Sequence, residues 1–115
     1  MPNKGRDGEA AAAAYLAEKG FDILEKNFRS RKGEIDIIAL DCQTLVFVEV
    51  KTWSAYGIEG LEYSLDAKKR NKIIETSKYF VSSHRKYIYM PVRFDVVFIS
   101  PDGVTHLASA FSECV

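Results

Sequence analysis

The chain has 115 residues, 47% of them hydrophobic and 28% charged, a composition that excludes a disordered segment and predicts one folded domain, residues 1–115. Sixteen basic residues balance sixteen acidic ones, which excludes a simple basic coat protein for nucleic acid, so any polyanion contact needs a local patch. The two cysteines form no metal-binding motif. The lack of a long apolar run or a charged-then-apolar leader predicts a cytoplasmic protein that does not enter the membrane.

The first predicted element is a helix. Asp7 is a plausible N-cap, the Ala10 to Ala14 run forms the body of the helix, and Gly20 marks its end. Glu9 falls in the first turn, where an acid at the positive end of the helix dipole is an ordinary finding. Phe21 to Arg29 then alternates well enough to predict an edge-like strand.

The turn after this strand is basic. Arg29, Arg31 and Lys32 precede Gly33, a stretch that favours a turn. These side chains could contact phosphates, although a charged surface loop is the more common interpretation of such a cluster.

The stretch from Gly33 to Lys51 carries the strongest pattern. Two apolar runs flank Asp41-Cys42-Gln43-Thr44, which is typical of two strands joined by a tight hairpin. If Cys42 and Gln43 form the loop, Asp41 pairs with Thr44, and Asp36 then lies directly opposite Glu49.

Directly opposed residues share a face of the sheet, because side chains alternate along a strand. Both faces are apolar over most of their length, so we expect the sheet to be covered on both sides. One face carries Glu34, Asp36, Ile38 and Leu40 against Leu45, Phe47, Glu49 and Lys51, and the other carries Ile35, Ile37 and Ala39 against Val46, Val48 and Val50.

Three charges meet at one end of this hairpin: Asp36, Glu49 and Lys51. Two opposed carboxylates repel unless one is protonated or a cation lies between them. Oxygen ligands converging from two strands suit Mg²⁺ or Mn²⁺, and Lys51 could polarise an attacking water or stabilise charge on a phosphate. The alternative is a solvated strand end with Lys51 as a neutralising partner, and a one-residue slip in register would separate the two acids.

The segment after the hairpin, from Thr52 to Tyr63, holds the only tryptophan and two glycines. A loop at this position is well placed to meet a ligand. Trp53 or Tyr56 could stack on an exposed base, or they could simply pack over the edge of the sheet.

A second helix is predicted from Ser64, as N-cap, to about Val81, with Asp66 in its first turn. Lys69 falls at four-residue spacing between apolar positions, which aims it at the sheet. Lys68, Arg70, Lys72 and Lys78 make this helix the most basic element, although lysines that extend from an amphipathic helix into solvent are the more common explanation of each one taken alone.

Val92 to Ile99 forms a strong predicted strand, and Val104 to Ala108 a short final one. Asp95 interrupts the apolar strand, and an edge or end position explains it more simply than a supporting role for the acids. The order is therefore helix, three strands, helix, strand and short strand, with the second helix long enough for a right-handed parallel crossover. This order predicts an α/β fold, a mixed sheet flanked by helices.

This αβββαβ order, with an acid in the second strand and Glu-Val-Lys in the third, resembles the restriction-endonuclease-like PD-(D/E)XK superfamily. Asp36 takes the place of its first acid, and Glu49-Val50-Lys51 takes the place of (D/E)-x-K. More narrowly, the chain is similar to the YraN family of small bacterial proteins from about Gly5 to Ile99. The matching residues are Gly8-Glu9-Ala10, Asn27, Arg29, Gly33-Glu34-Ile35-Asp36, Val46 to Thr52, Gly57, Lys69 and Arg93-Phe94-Asp95-Val96-Val97.

The resemblance implies a nuclease-type core related to archaeal Holliday junction resolvases, in which a glutamate on the first helix joins the metal site. That place falls on Glu9, beside Asp36 and Glu49 as ligands of Mg²⁺ or Mn²⁺. The resemblance also implies a DNA substrate and a homodimer. The candidate nucleic-acid-binding residues are Lys69, Lys68, Lys72, Arg29 and Arg31.

Three functions compete at this stage. The leading hypothesis is a metal-dependent endodeoxyribonuclease, acting on branched DNA by analogy with the resolvases. In it Asp36, Glu49 and Glu9 hold the metal, and Lys51 assists the attacking water. The alternative is a non-catalytic nucleic-acid-binding module on the same fold, and the third is a protein-interaction module that uses the Trp53 to Tyr63 loop.

Overall fold

The computed structural model describes residues 4–52 and 66–112. The predicted stacking loop, with Trp53 and Tyr56, and the predicted cap Ser64 lie outside this part of the chain. The elements are α1 (Lys4–Glu18), β1 (Asp22–Ser30), β2 (Gly33–Asp41), β3 (Thr44–Thr52), α2 (Ala67–Ser83), a 3₁₀ turn (Arg85–Tyr87), β4 (Val92–Ser100) and β5 (Gly103–Phe111).

The five strands form one mixed sheet in the order β1-β2-β3-β4-β5. The β1–β2, β2–β3 and β4–β5 pairs are antiparallel, whereas β3 and β4 are parallel. Parallel neighbours require a crossover, and α2 lies in the segment that joins them. The predicted α/β architecture is confirmed.

The helix ends differ in detail from the sequence prediction. Helix α1 begins at Lys4, so Asp7 lies inside the helix and the predicted N-cap is wrong, because the residues before Asp7 continue the helix. Gly20 ends it as predicted, in the left-handed conformation at φ 97°. Asp66 caps α2, since its carboxylate accepts a 2.9 Å hydrogen bond from the Lys69 backbone N–H.

Two hydrophobic cores lie on opposite faces of the sheet, as the alternation of the hairpin predicts. The α1 core contains Ala12, Ala13, Leu16, Phe21, Ile37, Ala39, Val46, Val48 and Val97. The α2 core contains Ile35, Ile38, Leu45, Phe47, Ile73, Ile74, Phe80, Tyr87 and Phe94.

The alternation prediction fails at Ile35, which packs in the α2 core rather than with Ile37. The register of β1 and β2 places Asn27 opposite Asp36, and Asn27 has a positive φ of 56°. The strand is therefore irregular at Asp36, and the strict two-residue period no longer holds there.

Neither helix in residues 4–52 and 66–112 is long and apolar enough to cross a membrane.

Candidate metal centre

The hairpin register is the predicted one. Asp41 pairs with Thr44, and the ladder continues to Ile37 and Val48, so one further step places Asp36 opposite Glu49. At that step a side chain replaces the backbone carbonyl as the hydrogen-bond acceptor. The Asp36 Oδ2 accepts a 2.8 Å hydrogen bond from the Val50 N–H. The regular pairing of β2 with β3 gives way to this side-chain bond at Asp36.

Three carboxylates converge at this point. Glu9 from α1 and Glu34 and Asp36 from β2 each place an oxygen within 4.8 Å of the others, and all three residues are half-buried. The position of Glu9 beside Asp36 is the one that the resemblance implied. Glu34 was missing from the predicted ligands, although its two-residue spacing from Asp36 had already placed it on the same face.

Helix α1 approaches the end of β3 closely enough to bring Glu9 into this cluster. Gly8 is buried, and a Cβ atom built on it would lie 2.5 Å from Thr52 Oγ1. No side chain larger than hydrogen fits there unless one of the two elements shifts. The close contact of the Gly8 backbone with the Thr52 side chain therefore sets the position of the neighbouring Glu9.

Asp36 is the electrostatic centre of the cluster. Burial and the nearby negative charge of Glu49 raise the pKa of Asp36 to about 7; Glu9 and Glu34 add to this effect, and the Val50 hydrogen bond opposes it. A carboxyl group that keeps its proton near neutral pH lacks enough compensating positive charge around it. A cation among these oxygens would remove that imbalance.

Glu49, the other predicted ligand, is not one of the three converging acids, although its negative charge acts on Asp36. Only 6% of its side chain is exposed, and its Oε1 lies 2.9 Å from Lys51 Nζ and 3.6 Å from Lys69 Nζ. Lys69 thus reaches the sheet as its spacing predicts. The two ammonium groups neutralise Glu49, so acids and lysines form one continuous polar site at the end of the hairpin.

The residues present fit a hard divalent cation. Oxygens bound to one Mg²⁺ at about 2.1 Å lie roughly 3–4 Å apart, and the oxygens of the three carboxylates already lie within 4.8 Å of one another. Oxygen-only donors favour Mg²⁺ or Mn²⁺ over softer metals. Glu9, Glu34 and Asp36 would hold such an ion, with Glu49 beside it.

The other residues that the sequence predicts to contact phosphate lie in three separate places. Arg29 lies directly across the ladder from Glu34 and pairs with it at 3.5 Å. Arg31 is exposed at the β1–β2 turn. Lys68 and Lys72 are exposed on α2 and line a groove outside the acid cluster.

The interpretation of Asp95 as an edge or end residue is wrong. It is fully buried, because β5 extends over nine residues and pairs along β4 beside it. Asp95 accepts two bonds from the Arg93 guanidinium, at 2.9 and 3.0 Å, one from His106 Nε2 at 2.7 Å, and one from the Ser109 N–H at 3.0 Å.

Asp95 is therefore a structural acid. Burial alone would raise its pKa, but the hydrogen bonds from Arg93, the Ser109 backbone and His106 outweigh burial and lower the pKa of Asp95 below its usual range. Arg93 also donates to Asp41 at 2.9 Å, so the network joins β2, β4 and β5.

Together the mixed five-stranded sheet, its two flanking helices and the acids at the end of the hairpin define an α/β protein compatible with a restriction-endonuclease-like core. Residues 8–99 match the family model described as "Uncharacterised protein family UPF0102". The chain belongs to this family, which is YraN-like, as its resemblance indicated.

Relatives described as UPF0102 proteins match nearly the whole chain. The protein from Treponema denticola is 42% identical, covering 99% of this chain and 98% of the relative. The protein from Persephonella marina is 44% identical, covering 94% and 92% respectively. The names of these two relatives give the family and no activity.

Proposed function

We propose that this protein is a metal-dependent endodeoxyribonuclease. The observation that carries the proposal is the acid cluster of Glu9, Glu34 and Asp36 directly beside the lysine-bound Glu49. Carboxylates that attract a divalent cation and ammonium groups that attract a phosphate are the two components that phosphodiester hydrolysis requires.

The side chains have distinct roles in this proposal. Glu9, Glu34 and Asp36 would hold Mg²⁺ or Mn²⁺, with Glu49 adjoining, and such an ion would supply a water of lowered pKa and offset negative charge on the phosphate. Lys51, held at 2.9 Å by Glu49, orients the attacking water and stabilises negative charge that develops on the phosphate. Lys69 steadies a non-bridging phosphate oxygen. Water adds to phosphorus as the P–O bond to the leaving sugar oxygen breaks; the water loses a proton to solvent, and the leaving oxygen takes one from solvent to become a hydroxyl.

A titration of Mg²⁺ or Mn²⁺ with nicked, flapped and four-way DNA tests the reaction. Asp36→Asn and Lys51→Ala should each reduce cleavage by about 100-fold or more, whereas Lys26→Ala, an exposed lysine on β1, should cleave as the wild type does. Cleavage that is unchanged in both site variants would identify a contaminating nuclease and refute the proposal.

A non-catalytic nucleic-acid-binding module is the second candidate, and the exposed lysines of α2 favour it. It predicts salt-sensitive binding that needs Lys68 and Lys72 but not the carboxylates. Binding that survives charge reversal at both lysines would end this alternative. The third candidate, an interaction module, depends on the Trp53 to Tyr63 segment outside the described residues.

The nuclease proposal includes a homodimer acting on DNA in the cytoplasm, by analogy with the junction resolvases. Sedimentation equilibrium of the protein alone tests this assembly: a mass of twice 13.0 kDa is expected, and a monomer at all concentrations would remove the dimer from the proposal.

A further inference from the structure

A groove of about 240 Å³ lies between the β1–β2 turn and the first half of α2. Its lining residues are Lys32, Lys68, Asn71, Lys72 and Glu75. None of these residues belongs to the acid cluster, and Lys32 comes from a different element than the other four. We call this feature the lysine groove.

The groove has a rigid wall, because the turn packs directly on the helix. Gly33, which follows the turn, has a φ of +155°, and a Cβ atom built on it would lie 3.2 Å from Thr76 Oγ1 and 3.4 Å from Lys72 Cβ. Thr76 Oγ1 in turn donates a 2.7 Å hydrogen bond to the Lys72 carbonyl. These contacts fix the positions from which Lys32 and Lys72 extend.

The residues that line the groove carry a net positive charge. Three lysines and one acid line it, and that acid, Glu75, also pairs with Lys78 at 3.8 Å. Within residues 4–52 and 66–112, no ion pair joins Lys32, Lys68 or Lys72 to an acid. In a chain with zero net charge, this is a local positive patch of the kind that a polyanion requires.

The lysine groove adjoins the acid site through α2. Lys69, which reaches Glu49, follows Lys68 in the chain and precedes Lys72 by three residues, so the groove begins less than one helical turn, about 5 Å, from it. The groove therefore lies within about one helical turn of the residue that reaches Glu49.

We propose that the lysine groove binds a second backbone phosphate of the strand whose scissile phosphate lies at the acid cluster. Lys32, Lys68 and Lys72 neutralise it, and the Asn71 amide is placed to donate to a phosphate or sugar oxygen. This proposal rests on the proposed function for its substrate, and it adds Lys32 as a positioning residue and a direction for the strand along α2. Contacts of this type set orientation and affinity rather than base preference.

Binding without turnover tests the groove separately from the chemistry. Fluorescence anisotropy of labelled duplex and single-stranded DNA, in EDTA and over a range of salt concentrations, measures how steeply log K falls with log salt. Because the three lysines share one phosphate, the triple variant Lys32→Ala/Lys68→Ala/Lys72→Ala should lower that slope by about 0.9 on duplex DNA or 0.7 on a single strand, and each single variant by part of that amount. Lys26→Ala is the matched control and should keep the wild-type slope.

A cleavage assay of the same variants with Mn²⁺ separates this proposal from the proposed function. Lys32→Ala should raise KM with kcat unchanged, because the residue contributes to binding in both the ground and transition states. If the triple variant cleaves DNA and keeps the wild-type salt slope, the proposal that the groove binds phosphate is refuted, whereas the nuclease proposal stands. A wild type that binds with the expected slopes but never cleaves would support the groove and refute the nuclease. A wild type with no DNA affinity would refute the groove.

Discussion

Replacing Asp36 with asparagine should make the metal-free protein more stable, although the residue lies at the centre of the proposed active site. Asparagine has the same shape, and its carbonyl oxygen can still accept the hydrogen bond that the Val50 N–H donates to Asp36. The change removes the negative charge that Glu9, Glu34 and Glu49 oppose. Stability gained by removing a functional residue is the expected sign of a site arranged for a ligand.

The size and pH dependence of this gain follow from the pKa. Asp36 titrates at about 7 in the folded protein against 3.8 in an unfolded chain, a difference worth up to about 4 kcal/mol. Between these values the unfolded chain releases a proton that the folded protein keeps, so the wild-type free energy of unfolding falls as pH rises and levels off above about 7. The asparagine of the Asp36→Asn variant does not titrate, so the gain should be near zero at about pH 3, intermediate at about pH 5 and complete at about pH 8.

Urea denaturation of both proteins in EDTA at these three pH values measures the gain. Asp95→Asn is the matched control, because Asp95 is also a strand acid but is held by Arg93 and His106 and has a lowered pKa. It should destabilise the protein by about 3 kcal/mol, because it removes a buried charge that pairs with Arg93 and His106 and leaves Arg93 only the half-buried Asp41 as a charged partner. Loss of stability in Asp36→Asn at about pH 8, or a gain that is equal at all three pH values, would refute the argument for Asp36.

Three further predictions concern the metal, the helix contact and the core. The rise in Tm produced by saturating Mn²⁺ should increase from about pH 5 to about pH 8, because Asp36 must lose its proton to bind; an equal rise at both would contradict its role as a ligand. Gly8→Ala should weaken Mn²⁺ binding about tenfold by displacing Glu9. Calorimetry should find the Mn²⁺ affinity recovered in the double variant Gly8→Ala/Thr52→Ala, because it removes the Oγ1 atom that the new methyl group would meet. A double variant that binds Mn²⁺ as weakly as Gly8→Ala would show that this contact does not position Glu9. Phe80→Ala, at a buried ring, should cost about 3–5 kcal/mol in denaturant unfolding, whereas Tyr79→Ala, half exposed, should cost much less; similar losses would contradict the assigned core.

The hairpin illustrates what local pattern can predict. Its two-residue turn and its apolar alternation are encoded within twenty consecutive residues, and such short-range signals determine register directly. The sequence alone therefore groups Asp36, Glu49 and Lys51. The orientation of Lys69 is predicted correctly for the same reason, since helical spacing alone defines which side of α2 it occupies.

Apart from the N-cap of α1, the errors arise where segments that are distant in the chain meet. The sequence predicts an edge position for Asp95 because it does not reveal that β5 extends far enough to bury this residue. Ile35 changes face because the strand is irregular beside Asn27. Glu34 has no role in the sequence prediction because its significance depends on Glu9, which lies on another element.

The sequence by itself determined the order of the elements, the hairpin register and the two apolar faces, because each follows from periodicity over a few residues. Only the tertiary structure decided which charges from other elements join those of the hairpin. The packing of Gly8 on Thr52 brings Glu9 to Asp36, the docking of α2 brings Lys69 to Glu49, and the length of β5 encloses Asp95. Such contacts join residues that are far apart in the chain. They depend on how both helices and the sheet pack together, and a pattern over a few residues cannot predict that packing.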